Sequence, residues 1–176
     1  MSIIICVVEK NKTFYIASDK RAIKNGIIND DYKKIYELKK RLYFAMTGIA
    51  EIGLVVLDKI KNKVNYPIKD FINMVEREIP INATKLTITI AGLDENNRYF
   101  IWQKNNLGEI TNADIGSDKI AYSISGNDEI GLFRSYFEKC VISGKPIQYC
   151  IANTINYASS IDNSISSKYE LIQFCK

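Results

Sequence analysis

An apolar run from Thr13 to Ala17 is followed closely by Asp19-Lys20-Arg21, three charges in a row at the head of a loop. Such a triplet is either a solvated strand end or a carboxylate delivered to a reaction site. The chain contains no histidine. That absence excludes Ser-His-Asp and Cys-His hydrolases and HExxH zinc peptidases, all of which need an imidazole. Four dispersed cysteines without a CxxC pair argue against a zinc site, so no metal is expected. The turn Ser125-Gly126-Asn127-Asp128 lacks the lysine of a phosphate loop, and no GxGxxG is present, so no cofactor is expected either. An enzyme built from this chain must move protons with a carboxylate, a lysine, a tyrosine or the α-amino group.

The rest of the composition sets the frame for those groups. A length of 176 residues, 47% of them apolar, suits one domain spanning 1–176 with a full core. No stretch approaches the roughly 20 apolar residues that span a bilayer. The first residues carry no basic segment followed by an apolar run and a small-residue cleavage site, so no export signal is expected. Cys6, Cys140, Cys150 and Cys175 are spaced as free thiols of a reducing cytoplasm rather than as a disulfide framework. The formal charge of +4 is mild. The basic stretch from Lys33 to Arg41 alternates with Ile35, Tyr36 and Leu38, which reads as a strand with one wet face and not as a nucleic-acid surface.

The elements that must position the chemistry follow from periodicity. Ser2 to Val8 is a continuous β-branched run, as in a strand buried on both faces. A polar turn leads into Thr13–Ala17, predicting an antiparallel hairpin, and Lys33–Leu38 with Arg41–Gly48 predicts a second. Ile49, Ile52, Val56, Ile60 and Val64 recur at helical spacing. Pro67 opens a second helix with Ile68, Phe71, Val75 and Ile79 on one face, and Pro80 ends it. Strands are predicted over 85–93, 98–103 and 119–125. A third helix, capped by Asn127 or Asp128, carries Ile130, Phe133, Phe137 and Cys140, with Gly144 near its end. Pro146 opens a fourth with Ile147, Ile151 and Ile155 inward, and 168–174 closes the chain as a strand. Four strands, two helices, three strands, two helices and a strand predict an α+β fold, a four-layer αββα sandwich with two antiparallel sheets between helical layers.

In this element order the chain resembles proteasome β-subunits and their bacterial relative HslV, within the N-terminal nucleophile (Ntn) hydrolases. "SIIICVV" resembles the opening strand, whose first residue is the nucleophile, here Ser2. "ASDKRA" is similar to the family's A-x-D-S-R-A stretch and places Asp19, Arg21 and Ala22. "YKKIYEL" resembles the region whose second lysine is catalytic, here Lys34, and "AMTGIAEIG" places Gly48 at the oxyanion-hole amide. "SISGND" resembles the later G-S-G turn and places Ser125 and Gly126 beside the site. "SSIDNSISS" lies where the family has an Asp followed by a Ser, which places Asp162 and leaves Ser164 and Ser166 as alternatives, with Ser166 preferred. Met46 stands where the family lines the pocket for the residue before the scissile bond, flanked by Ala22 and Ala50; it is equally readable as strand core. Two departures are visible: serine stands where proteasomes use threonine, and one extra residue separates Ser2 from Asp19, placed in the hairpin turn.

The resemblance implies an amide-bond hydrolase acting on peptides or proteins. A serine hydroxyl is a poor nucleophile without a base, and an α-amine with a reference pKa near about 8 is partly neutral at pH 7. Removal of Met1 would put both groups on Ser2. A positive Lys34 beside them would favour the neutral amine and the developing alkoxide, and Asp19 is the natural partner for a buried ammonium. The family also implies assembly into a homo-oligomeric ring, with an ATPase unfoldase as a further partner. Two other readings stay open. One is a non-catalytic scaffold or binding subunit that keeps Asp19 and Lys34 as a structural ion pair; the other is an Ntn amidase or acyltransferase on a small molecule.

Overall fold

The computed structural model describes residues 2–80, 86–105, 110–113, 120–126 and 131–176. The N-terminal hairpin forms as expected from its apolar runs: β1 (Ile4–Glu9) and β2 (Thr13–Asp19) pair antiparallel, with Ile4 opposite Ser18. Between β2 and the next long strand, where a loop was expected, a short hairpin rises from the surface: β3 (Ala22–Lys24) and β4 (Ile27–Asn29). Its turn is Asn25-Gly26, at φ 50° and 80°. Both residues take the positive φ that a two-residue hairpin turn demands, so the Asn-Gly pair was the signal for it. β5 (Ile35–Lys39) and β6 (Leu42–Gly48) form the next hairpin.

Helix α1 (Ala50–Ile60) ends earlier than its apolar spacing suggested, because Lys61–Lys63 tighten into a 3-10 turn. Helix α2 (Ile68–Glu78) starts directly after Pro67. β7 (Leu86–Leu93), β8 (Tyr99–Asn105) and β9 (Ile110–Ala113) continue the sheet, the last of them not anticipated from the sequence. β10 (Ile120–Ser125), α3 (Leu132–Ile142), α4 (Ile147–Ile161) and β11 (Tyr169–Cys175) complete the chain. Helix α3 is preceded by Gly131 at φ 68°, while Ile130 and the expected caps Asn127 and Asp128 lie outside the described residues.

The long strands make two antiparallel sheets, one ordered β10-β1-β2-β11 and the other β5-β6-β7-β8-β9. The two-residue period of β1 sends its side chains into different cores. Ile3, Ile5 and Val7 pack with Phe133 and Phe137 of α3 and Ile151 and Ile155 of α4. Ile4, Cys6 and Val8 pack with Ile35, Tyr43, Ala91 and Ile101 of the second sheet. A third core joins the other side of that sheet, through Phe44, Ile88 and Trp102, to Val56 and Ile60 of α1 and Phe71 and Val75 of α2. A one-residue slip of β1 would exchange the side chains of the first two cores, so burial fixes its register and the position of Ser2 just before it.

Among the described residues, no helix is long and apolar enough to cross a membrane. All four cysteines are free.

Candidate active site

Asp19, the last residue of β2, is fully buried and binds four donors. Its Oδ1 accepts the Ile3 N–H at 2.9 Å and the Lys34 ammonium at 2.7 Å. Its Oδ2 accepts the Arg21 N–H at 3.0 Å and the Ser166 N–H at 3.3 Å. A carboxylate taken out of water needs this degree of satisfaction. Asp19 is a buried, fully partnered carboxylate and not a solvated strand end.

Lys34 lies just before β5 and is 3% exposed. Its carbonyl accepts the Met46 N–H at 3.3 Å, which ties the lysine to β6. Burial pushes the Lys34 ammonium below the ordinary lysine range, and the charge and hydrogen bond of Asp19 oppose that effect.

Ser2 is held from two sides. The N–H of the next residue is the one bound by Asp19. On the other side Gly126, at φ 153°, packs so closely that a Cβ there would lie 2.7 Å from the Ser2 carbonyl oxygen. Ser2 is 8% exposed, and it lines a cavity of about 580 Å³ together with Lys34 and Gly48. Gly48 ends β6 at φ 96°, a conformation that glycine adopts without strain as the chain turns into α1.

The remaining expected residues fall into distinct places. Arg21 lines the cavity, and its guanidinium grips Asp30 at 2.6 and 2.9 Å and the Asn163 carbonyl at 2.7 Å. That grip holds the Asp30 carboxyl below its usual range. Ser166 reaches the site through its N–H on Asp19, while its Oγ accepts the Lys168 N–H at 3.1 Å. Ser164 instead serves Asp162, whose Oδ1 accepts the Ser164 N–H at 2.8 Å and hydroxyl at 2.6 Å. Asp162 thus closes the turn after α4, and these bonds do not connect it to Asp19 or Lys34. Ser125 is buried opposite Ile4, and its hydroxyl has no hydrogen-bond partner among the described residues.

Ala22, Met46 and Ala50 all line the cavity. Met46 belongs equally to the third core, so it both lines the cavity and packs in the interior. Sequence reasoning did not anticipate Lys24, Tyr32 and Glu51 in the lining. Lys24 and Glu51 form an exposed ion pair at 2.9 Å that joins the β3–β4 hairpin to α1. The Asn25-Gly26 turn could have placed Lys24, but no local signal brings Glu51 or Tyr32 to it.

The arrangement puts a hydroxyl, a lysine of lowered basicity held by a buried carboxylate, and a strand-end glycine around one cavity. Those are parts suited to nucleophilic attack on a carbonyl. Among the described residues, no group of three metal-ligating side chains occurs.

No family model matches the sequence, and no curated protein matches it. Solved structures do match in shape. The eukaryotic HslV of Trypanosoma brucei superposes at a TM-score of 0.70 with 12% identity over 99% of each chain. Anbu, an ancestral beta-subunit from Yersinia bercovieri, superposes at 0.76 with 10% identity, over 98% of this chain and 81% of that one. This chain has the HslV-like fold.

Proposed function

We propose that the protein is a peptidase of the proteasome and HslV kind, hydrolysing amide bonds with Ser2 as an N-terminal nucleophile. The reading rests on one observation: Ser2 shares a cavity with Lys34 and Gly48, and the carboxylate that holds Lys34 also holds the amide next to Ser2. Met1 lies outside the described residues, and its removal would free the Ser2 amine. That amine takes the hydroxyl proton as Ser2 Oγ attacks the scissile carbonyl. Lys34, partnered by Asp19, stabilises the developing alkoxide. The Gly48 N–H donates to the oxyanion, a contact worth about 2.7–4 kcal/mol of barrier in hydrolases. The amine then returns the proton to the leaving group, and water releases the acyl chain.

The finer structural reading belongs with this function. The three cores support a single domain over 1–176 built as a four-layer αββα sandwich. The HslV-like fold supports a homo-oligomeric ring that encloses the sites, fed by an ATPase unfoldase. Free thiols support a reducing, cytoplasmic setting. Met46 with Ala22 and Ala50 supports a preference for an apolar side chain before the scissile bond.

A second reading has its own observation. Asp19 ties β1, the segment after β2 and the segment before β11 into one knot, which a non-catalytic scaffold subunit of this fold would also need. Intact mass of the protein from its native host separates the two. Loss of Met1, with labelling of Ser2 by a β-lactone and cleavage of apolar peptides, supports the peptidase. Uniform retention of Met1 overturns it in favour of the scaffold, and cleavage of small amides but of no peptide favours an amidase.

A further inference from the structure

Gly53 sits in the first turn of α1 and is buried. Glycine is the poorest helix former after proline, so its presence within a helix calls for a spatial reason. The reason is Met46. A Cβ at position 53 would lie 2.2 Å from the Met46 Sδ, 3.2 Å from its Cγ and 3.3 Å from its Cβ. The missing side chain of Gly53 is thus a notch on α1 in which the thioether lies.

Met46 also lines the cavity, and only 3% of it is exposed. Met46 shares the third core with Val56, Phe71 and Leu86, an interior of the close-packed kind. Because Met46 lines the cavity of about 580 Å³ that Ala22 and Ala50 help to wall, a sulfur expelled from the notch can swing into it. Methionine, unbranched and with three rotatable bonds, makes that swing easily.

We infer that Gly53 is a specificity-determining residue: by housing the Met46 thioether it keeps the cavity deep enough for a large apolar substrate side chain. This rests on the peptidase reading of the site. Glycine here selects for a leucine-sized or larger residue before the scissile bond. Any side chain at 53 converts the cavity to one for small residues, with Met46 as the plug.

Gly53→Ala tests it. In the wild type, kcat/KM should favour a peptide with leucine before the scissile bond over its alanine counterpart. In Gly53→Ala that ratio should fall about 10–200-fold, the range for a methylene-sized change in a pocket. It should recover in Gly53→Ala/Met46→Ala, where no thioether remains to enter the cavity. An unchanged ratio in Gly53→Ala, or no recovery in the double variant, overturns the inference.

A second readout needs no activity. The chain has three methionines, so the methyl signal of Met46 can be assigned in 13C-methyl-methionine spectra by its loss in Met46→Ala. In Gly53→Ala that methyl should gain contacts to the methyls of Ala22 and Ala50. A Met46 methyl that keeps its wild-type neighbours overturns the inference even if the protein folds and cleaves normally. If wild type cleaves no peptide, the peptidase reading falls, and the methyl contacts alone decide whether Gly53 shapes the cavity.

Discussion

Lys34→Met and Asp19→Ala remove opposite halves of one buried ion pair, yet the hydrogen bonds around the pair make the losses unequal. Breaking a buried pair destabilises by about 3–5 kcal/mol, because the surviving charge is left without its partner. In Lys34→Met the survivor is Asp19, which still accepts N–H groups from Ile3, Arg21 and Ser166. Those donors hold the loss near the lower figure, about 3 kcal/mol. In Asp19→Ala the survivor is an ammonium that is 3% exposed, and three amides lose their acceptor as well. The Ser166 bond is long at 3.3 Å and counts for little. The other two, each worth about 1.5–3 kcal/mol as bonds to a charged group, raise the loss to about 6 kcal/mol or more.

That larger figure reaches into the range of a whole domain's stability, about 5–15 kcal/mol. Asp19→Ala should therefore be marginal or unfolded, Asp19→Asn intermediate, and Lys34→Met folded. Urea unfolding followed by the single tryptophan, Trp102, which is 2% exposed in β8, gives all three values on one probe. Lys34→Met should keep the wild-type slope while its kcat for an apolar peptide falls by about 10²–10⁴, the range for losing a proton-transfer or charge-stabilising group. Equal destabilisation by Lys34→Met and Asp19→Ala would refute the idea that Asp19 is the knot. So would an Asp19→Ala protein within about 1 kcal/mol of wild type, the net worth of an ordinary hydrogen bond.

Two further outcomes follow from the same geometry. Gly126→Ala puts a Cβ 2.7 Å from the Ser2 carbonyl oxygen and should push Ser2 out of line. A displacement near 1 Å lowers kcat about 100-fold, read by steady-state kinetics, while thermal unfolding stays cooperative. The second concerns pH. Burial lowers Lys34, so between its folded value and the ordinary lysine pKa near about 10.4 the native chain binds fewer protons than the unfolded one. Its contribution to stability is therefore lowest at low pH and rises with pH across that window. The urea stability of wild type minus that of Lys34→Met should grow from pH 7 to 10; a flat difference means that Lys34 is not desolvated.

Most elements were legible because burial and periodicity agree. The run from Ile3 to Val8 reads as a strand covered on both faces because it feeds two cores, and the α2 face of Phe71 and Val75 reads as helical because one side meets the sheet. The β3–β4 hairpin escaped because its isoleucines do not follow burial: Ile23, Ile27 and Ile28 are 48%, 73% and 56% exposed. Only its turn chemistry marked it. β9 escaped for a related reason, since Ile110–Ala113 is four residues of mixed polarity, too short for a period to show.

The site was legible in its side chains and not in its backbone. Ser2, Lys34 and Gly48 line one cavity and Asp19 reaches it through Lys34, but three of the four donors to Asp19 are main-chain amides. The farthest, at Ser166, lies 147 residues away along the chain. An amide carries no residue type, so no pattern of letters reveals it. The consequence bears on function. A carboxylate that closes three segments of the fold would be kept by an enzyme and by a scaffold alike, which makes the Asp19–Lys34 pair a property of the architecture. What would distinguish an enzyme is the group the fold does not need. A free amine on Ser2 would stabilise no core and join no strand, so its exposure by removal of Met1 is the step on which the proposed hydrolysis turns.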